Sequence, residues 1–289
     1  MLDRRSFLSL AAAGLSATAL VGCGGAPATD DAPASDSTTE AEPEAGTGAV
    51  DTGTLIVGFD SSYPPYGYVG DGGEYTGFDL ELAQEVAARN DWQVQLEPID
   101  WDAKDTMLDS GAINCIWNGF TMEGREEDYT FSEPYMINGQ VIVVRADSGI
   151  ASFDDLAGKA VITQVDSAAY NVLAGEDATQ AELAATFASL ETIGEYNTAF
   201  MQLESGAVDA VACDLSIAAY QLAAKPDAYV QLDEFLSEEH YAVGFKKGDD
   251  ATADVVNETL RAMDEDGFVS ELCDKYAADG ISYDNWCLA

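Results

Sequence analysis

The sequence predicts an α/β fold of the doubly wound kind, and three observations carry that prediction. Short β-rich apolar runs alternate with helical stretches over residues 54–117 in the order strand, loop, helix, strand, helix, strand. That order belongs to a parallel sheet with crossover helices, not to an antiparallel sandwich. The same theme restarts after Phe153-Asp-Asp-Leu-Ala-Gly158. One device is also used twice: a helix stopped by glycine and followed at once by a strand, at Gly111-Ala-Ile-Asn-Cys-Ile-Trp117 and again at Gly206-Ala-Val-Asp-Ala-Val-Ala212.

The first half reads as follows. Thr54-Leu-Ile-Val-Gly-Phe59 is a strand that runs into the Pro-fixed loop Asp60-Ser-Ser-Tyr-Pro-Pro-Tyr66. Asp60 and Tyr63 therefore stand at the strand's carboxyl end, where open α/β sheets bind ligands. Gly77-Phe-Asp79 opens an amphipathic helix with Asp79 as N-cap and Leu80, Leu82, Ala83, Val86 and Ala87 at helical spacing. Val94–Pro98 is the second strand, Trp101 follows it, and residues 102–110 form a helix closed by Gly111.

Ile113–Trp117, the third strand, delivers a break at Asn118-Gly119, a hydroxyl at Thr121 and an arginine at Arg125. The whole chain holds only 12 Lys and Arg against 53 Asp and Glu, so an arginine here stands out. A guanidinium matches a carboxylate two-to-two, which lysine cannot do. Backbone amides, a hydroxyl and an arginine make a carboxylate socket at a strand end. Taken alone, the segment reads equally as a surface turn in which Arg125 answers Glu126, Glu127 and Asp128.

In the second half, Gln140–Val144 and Ala160–Thr163 are strands. Ser167 caps a helix over 168–173, whose first amides offer an anion site. Residues 198–205 are helical, and Val208–Asp214 is a strand that ends in a carboxylate. Tyr241–Phe245 is a last strand, followed by helices around 255–265 and 269–276.

The N-terminus is of another kind. Arg4-Arg5 precedes an apolar run from Phe7 to Val21, too short and too rich in Ala, Gly and Ser to span a bilayer. The arginine pair followed by Ser-Phe-Leu resembles a twin-arginine export signal, and Leu20-Val-Gly-Cys23 resembles a lipobox. Residues 1–23 are expected to be a lipoprotein signal peptide, with Cys23 lipidated and holding the chain at a membrane. Residues 24–53 are Gly, Ala, Pro, Ser, Thr, Asp and Glu with scarcely an apolar side chain beyond alanine, and are expected to be a disordered acidic tether.

Composition excludes several functions. A net charge of −41 leaves no basic patch to neutralise phosphate, so nucleic acid is not an expected partner. A single histidine, His240, and the absence of a CxxC pair argue against zinc and against Ser-His-Asp chemistry. No metal or cofactor is expected. Of the five cysteines, Cys115 and Cys213 read as buried strand residues. Cys273 and Cys287 are expected to form a disulfide, which an exported protein can keep.

Thr76-Gly-Phe-Asp-Leu-Glu-Leu-Ala, the Trp101-Asp…Leu108-x-Ser-Gly-x-Ile segment, Gly119-Phe-Thr-x-x-x-Arg125, and Phe131-Ser-Glu-Pro-Tyr135 followed by Gln140-Val-Ile-Val-Val are similar to the extracellular solute-binding proteins of amino-acid ABC transporters. The similarity runs in order from about Leu55 to Tyr276. It implies a type II periplasmic-binding-protein fold with the ligand cleft between two lobes joined by two crossover strands. Lobe one would be residues 54–142 and 243–289, and lobe two residues 143–242. It also implies a free amino acid as ligand, an ABC permease as partner, a monomer and no catalysis. By the same resemblance Arg125, with Thr121 and the Gly119 amide, would hold the ligand α-carboxylate, joined by Ser167 and the Asp166 amide. Asp214 would take the α-ammonium. Asp60, Tyr63, Trp101 and either Trp117 or Phe120 would line the side-chain pocket. Two other classes are open to such a chain: a cell-surface sensor, and a dehydratase-like enzyme that uses Asp60 or Asp102 as acid or base.

Overall fold

The computed structural model describes residues 53–288. The expected signal peptide, Cys23 and all of the expected tether except Gly53 lie outside the described residues. The described residues begin with β1 (Thr54–Phe59), three short strands β2 (Ser62–Tyr63), β3 (Gly67–Val69) and β4 (Tyr75–Thr76), then α1 (Phe78–Arg89) and β5 (Gln93–Pro98). It continues with α2 (Lys104–Ser110), β6 (Cys115–Ile116), β7 (Tyr129–Phe131) and the long β8 (Met136–Arg145). Next come β9 (Ala160–Gln164), α3 (Ala168–Ala174), α4 (Ala181–Ala184), β10 (Ser189–Ile193), α5 (Tyr196–Ser205) and β11 (Ala210–Asp214). The last elements are α6 (Leu215–Ala224), β12 (Tyr229–Tyr241), β13 (Gly244–Lys246), α7 (Asp250–Glu265) and α8 (Phe268–Lys275).

Ten of these strands form two five-stranded sheets of the same plan, and β2, β3 and β4 form a small antiparallel sheet of their own. In the first, ordered β5-β1-β6-β13-β7, β1 lies parallel between β5 and β6, and β13 is antiparallel to both its neighbours. In the second, ordered β10-β9-β11-β8-β12, β9 lies parallel between β10 and β11, while β8 and β12 add antiparallel pairs. Parallel neighbours need a crossover, which α1, α2, α3 and α5 supply. Gly111 and Gly206 end α2 and α5 in the same left-handed conformation, φ 76° and 77°, so both repeats of the device turn a helix into a strand alike. The largest of three buried clusters spans both sheets: Val57, Phe59, Leu82 and Val86 of the first sheet's layers join Val141, Val143, Val211 and Cys213.

Three expectations need correction. The division at 142/143 falls too late, because Met136–Gln140 already pair with Ser237–Tyr241 in the second sheet. The outward crossing is the segment 132–135. Tyr241–Phe245 is not one strand: β12 ends at Tyr241, the chain crosses back at Ala242-Val243, and β13 starts in the first sheet.

The Cys273–Cys287 disulfide is also not formed, and all four described cysteines are free. Cys273 belongs to the buried face of α8 with Val269 and Leu272. Cys287 points elsewhere, its Sγ 3.5 Å from the Pro134 carbonyl, and its amide donates to Tyr135 at 3.0 Å. The tail is thus pinned to the outward crossing by backbone pairing.

Candidate functional site

Four strand ends converge between the sheets. Asp60 follows β1, Gly119–Arg125 follow β6, Gln164–Ser167 close β9, and Asp214 is the last residue of β11. They line a small, half-open cavity whose walls include Tyr63, Trp101, Thr121, Arg125, Gln164, Ser167 and Asp214.

The loop after β6 owes its path to a buried acid. Gly119 adopts φ +56°, and a Cβ there would lie 3.0–3.2 Å from the Tyr63 and Tyr241 rings. Its amide donates to Asp79 Oδ2 at 2.5 Å, and Tyr135 Oη donates to the same oxygen at 2.8 Å. Asp79 therefore does not cap its own helix. Gly77 stands at the cap with φ 139°, where a side chain would meet the Tyr66 carbonyl at 2.2 Å. Burial pushes the Asp79 carboxyl up to about 7.

One wall is cationic. Arg125 is 7% exposed and lies 4.8 Å over the Phe120 ring. Its Nη1 donates to the Thr121 carbonyl at 2.9 Å and its Nη2 to the Asp166 carbonyl at 3.4 Å. These use two of the five N–H donors of a guanidinium. Trp101 Nε1 donates to that same Asp166 carbonyl at 3.2 Å, and buried Lys104 pairs with the Asp166 carboxylate. Asp166, at φ +56°, is thus the point where the first sheet's side grips the second. Beside it, Ser167 caps α3 by accepting from the Tyr170 amide at 3.1 Å.

The opposite wall is acidic. Asp214 Oδ1 accepts from Gln140 Nε2 at 2.6 Å, Tyr241 Oη at 3.0 Å and Asn138 Nδ2 at 3.1 Å. Glu239 Oε1 takes the same two amides at 2.7 Å each and the Thr121 hydroxyl at 2.8 Å. Burial raises both carboxyls, Glu239 to about 7 with help from the charge of Asp214. Asp60 stands behind Gln164: its oxygens accept from Ser62 N at 2.8 Å and Gln164 Nε2 at 2.7 Å. Burial, with Glu195 and Asp100 nearby, pushes it up to about 6 despite those bonds.

Of the residues expected at the site, Tyr63, Trp101, Gly119, Thr121, Arg125, Ser167 and Asp214 line the cavity, and Asp60 reaches it through Gln164. Phe120 does not line it. This ring is buried against Trp101, Tyr129 and Phe131 and serves as the platform under Arg125. Trp117 is core as well, packed on Tyr135. The Gly119 amide is taken by Asp79, and the Thr121 hydroxyl by Glu239. The Asp166 contribution on this face is a carbonyl, not an amide. Sequence reading missed Gln164, Ala168, Lys104, Asn138, Gln140 and Glu239. Two signals were available. Gln164 ends a strand as Asp214 does, and Asn138 and Gln140 are amides two apart on one otherwise apolar strand.

Two such sheets with a charged cavity between their strand ends define a two-lobed binding protein, and comparison with known proteins agrees. The family model for bacterial extracellular solute-binding proteins, family 3, matches residues 55–279, and the chain belongs to that family. The L-cystine-binding protein TcyJ of Escherichia coli K12 is 32% identical over 232 residues, covering 78% of this chain and 82% of its own. A solved ABC uptake transporter substrate-binding protein from Streptococcus pneumoniae with bound histidine superposes with a TM-score of 0.75. It is 31% identical and covers 80% of this chain and 94% of its own. An ancestral amino-acid-binding protein described as a precursor of cyclohexadienyl dehydratase gives a TM-score of 0.69. Its identity is 31%, covering 77% of this chain and 95% of its own.

Proposed function

We propose that the protein captures a free amino acid in the interlobe cavity and delivers it to an ABC permease. The observation that carries this reading is the pairing of a buried guanidinium, Arg125, with a buried carboxylate, Asp214, on the walls of one small cavity. A zwitterion answers both charges at once. Arg125 and Ser167 receive the α-carboxylate, and Asp214 receives the α-ammonium. Asp60, Tyr63, Trp101 and Gln164 contact the side chain. The relatives named for cystine and histidine support an amino acid as ligand.

A thermal-shift panel of the twenty amino acids plus cystine tests this, because a ligand that binds only the native state raises its melting temperature with concentration. At least one member should do so. A panel without any shift contradicts the reading. The chain acts as a monomer, exported and anchored by a lipid on Cys23. Cys23→Ser should then release it from cells without changing affinity, and membrane retention of that variant removes the anchor from the account.

One observation favours a second reading. Asp60, raised to about 6 beside the cavity, has the poise of a general acid, and one structural relative is the precursor of a dehydratase. Recovery of chemically unchanged ligand after long incubation separates a binding protein from an enzyme.

A further inference from the structure

Asp214 and Glu239 come from neighbouring parts of the second sheet and are both almost wholly buried, at 4% and 2% exposure. Each is held by neutral donors among the described residues, and two of these are common to both. Gln140 Nε2 lies 2.6 Å from Asp214 and 2.7 Å from Glu239, and Asn138 Nδ2 lies 3.1 Å and 2.7 Å from the same pair. Two amide groups thus clamp two carboxylates side by side. The cations of the site do not relieve them, because Arg125 and Lys104 both turn to Asp166. Two like charges in such a clamp cannot both ionise without a cation or a proton between them.

We propose that Asp214 and Glu239 share one proton before ligand binds, and that this proton leaves when a ligand ammonium reaches Asp214. Capture is then linked to proton release, and Glu239 is the positioning residue that sets the linkage. The inference rests on the reading of Asp214 as the ammonium partner. The balance is simple. The ammonium keeps its three protons and supplies the cation the pair lacked, the shared carboxyl O–H ionises, and the proton passes to buffer. A route exists, since Glu239 lines a solvent-open groove that shares Thr121 and Ala168 with the ligand cavity.

The titratable groups around Glu239 reinforce the shared proton. Asp214 faces it from β11, and Tyr241 from its own strand in contact with Tyr63 of β2. Glu123, Glu176, Asp177 and Glu238 line the same groove, and His240 bonds Glu123 through Nδ1 at 2.7 Å. The carboxylates among these discourage a second ionisation in the pair.

The test has two arms. Titration calorimetry with L-arginine, L-glutamine and L-cystine, in two buffers of different protonation heat, counts the protons released between pH 5.5 and 7. Wild type should release close to one proton, and its affinity should rise up to about tenfold per pH unit over that window. Asp60 titrates nearby, behind Gln164, so the informative quantity is the difference from Glu239→Gln, which keeps the acceptor at Oε1. That variant should lose most of the release and the slope. Equal release from both proteins while a probe binds overturns this inference alone, whereas no binding by these probes or by any other member of the twenty-amino-acid and cystine panel overturns the functional reading and this linkage with it.

The second arm needs no ligand. Infrared difference spectra of wild type against each variant at pH 6 should show, beyond the Asp60 and Asp79 signal common to all three proteins, a protonated-carboxyl band that is lost in Glu239→Gln and also in Asp214→Asn. A band unchanged in both variants means that the pair holds no proton.

Discussion

At the residue scale, the proposed function rests most heavily on one arginine. Arg125 is desolvated over Phe120, and its engaged donors go to two backbone carbonyls, Thr121 and Asp166. Truncating one member of a buried charge pair typically costs about 2–5 kcal/mol. Arg125→Ala should therefore weaken amino-acid binding by roughly two orders of magnitude or more. Arg125→Lys should recover charge without the fork and stay well below wild type. Calorimetry on both variants decides; an alanine variant within a few-fold of wild type excludes the clamp. The cavity-lining positions of Arg125, Ser167 and Asp214 were legible because each stands beyond or at a strand end, and Arg125 is also a scarce cation. Phe120 was misplaced because adjacency to Thr121 does not say which way a ring turns. Glu239 was invisible, since one acid among 53 Asp and Glu gives no signal until the fold buries it.

At the element scale, regular units were legible and irregular ones were not. The two helix–glycine–strand devices follow from local rules, and both appear with left-handed glycines. β12 escaped because register shifts between Gln231 and Phe235 and between Phe235 and Ser237 break its alternation. The disulfide failed for a similar reason. Closeness in sequence brought Cys273 and Cys287 together on paper, but α8 turns Cys273 inward while the tail follows the crossing segment. Denaturation without reductant followed by alkylation should label both thiols and leave the mass unchanged by later reduction. A mass that rises by two hydrogens on reduction restores the bridge.

At the scale of the whole molecule, acids buried without cations set the response to pH. Asp60 is raised to about 6, and Asp79 and Glu239 to about 7. A group raised above its unfolded value gives stability that is complete below the unfolded value, near 4, and is lost as pH rises through 6 to 7. The folded chain binds more protons than the unfolded one across that window, so stability falls with rising pH. Repulsion among 53 acidic residues acts in the same direction. The melting temperature without ligand should be higher at pH 5 than at pH 7.5. The opposite order means that these carboxyls are ionised and paired in the native state.

The two halves meet through Asp166, and the proposed ligand would join them again, because Arg125 belongs to the first sheet's loops and Asp214 ends a strand of the second. Holding a zwitterion at both ends should favour closure. The most direct test of that claim compares the amino acid that shifts the melting temperature most with its decarboxylated amine and its deaminated acid, all by calorimetry. Each analogue leaves one buried charge unanswered, so each should bind at least about a hundredfold more weakly. If either analogue binds within a few-fold of the parent amino acid, the cleft does not recognise a zwitterion between Arg125 and Asp214.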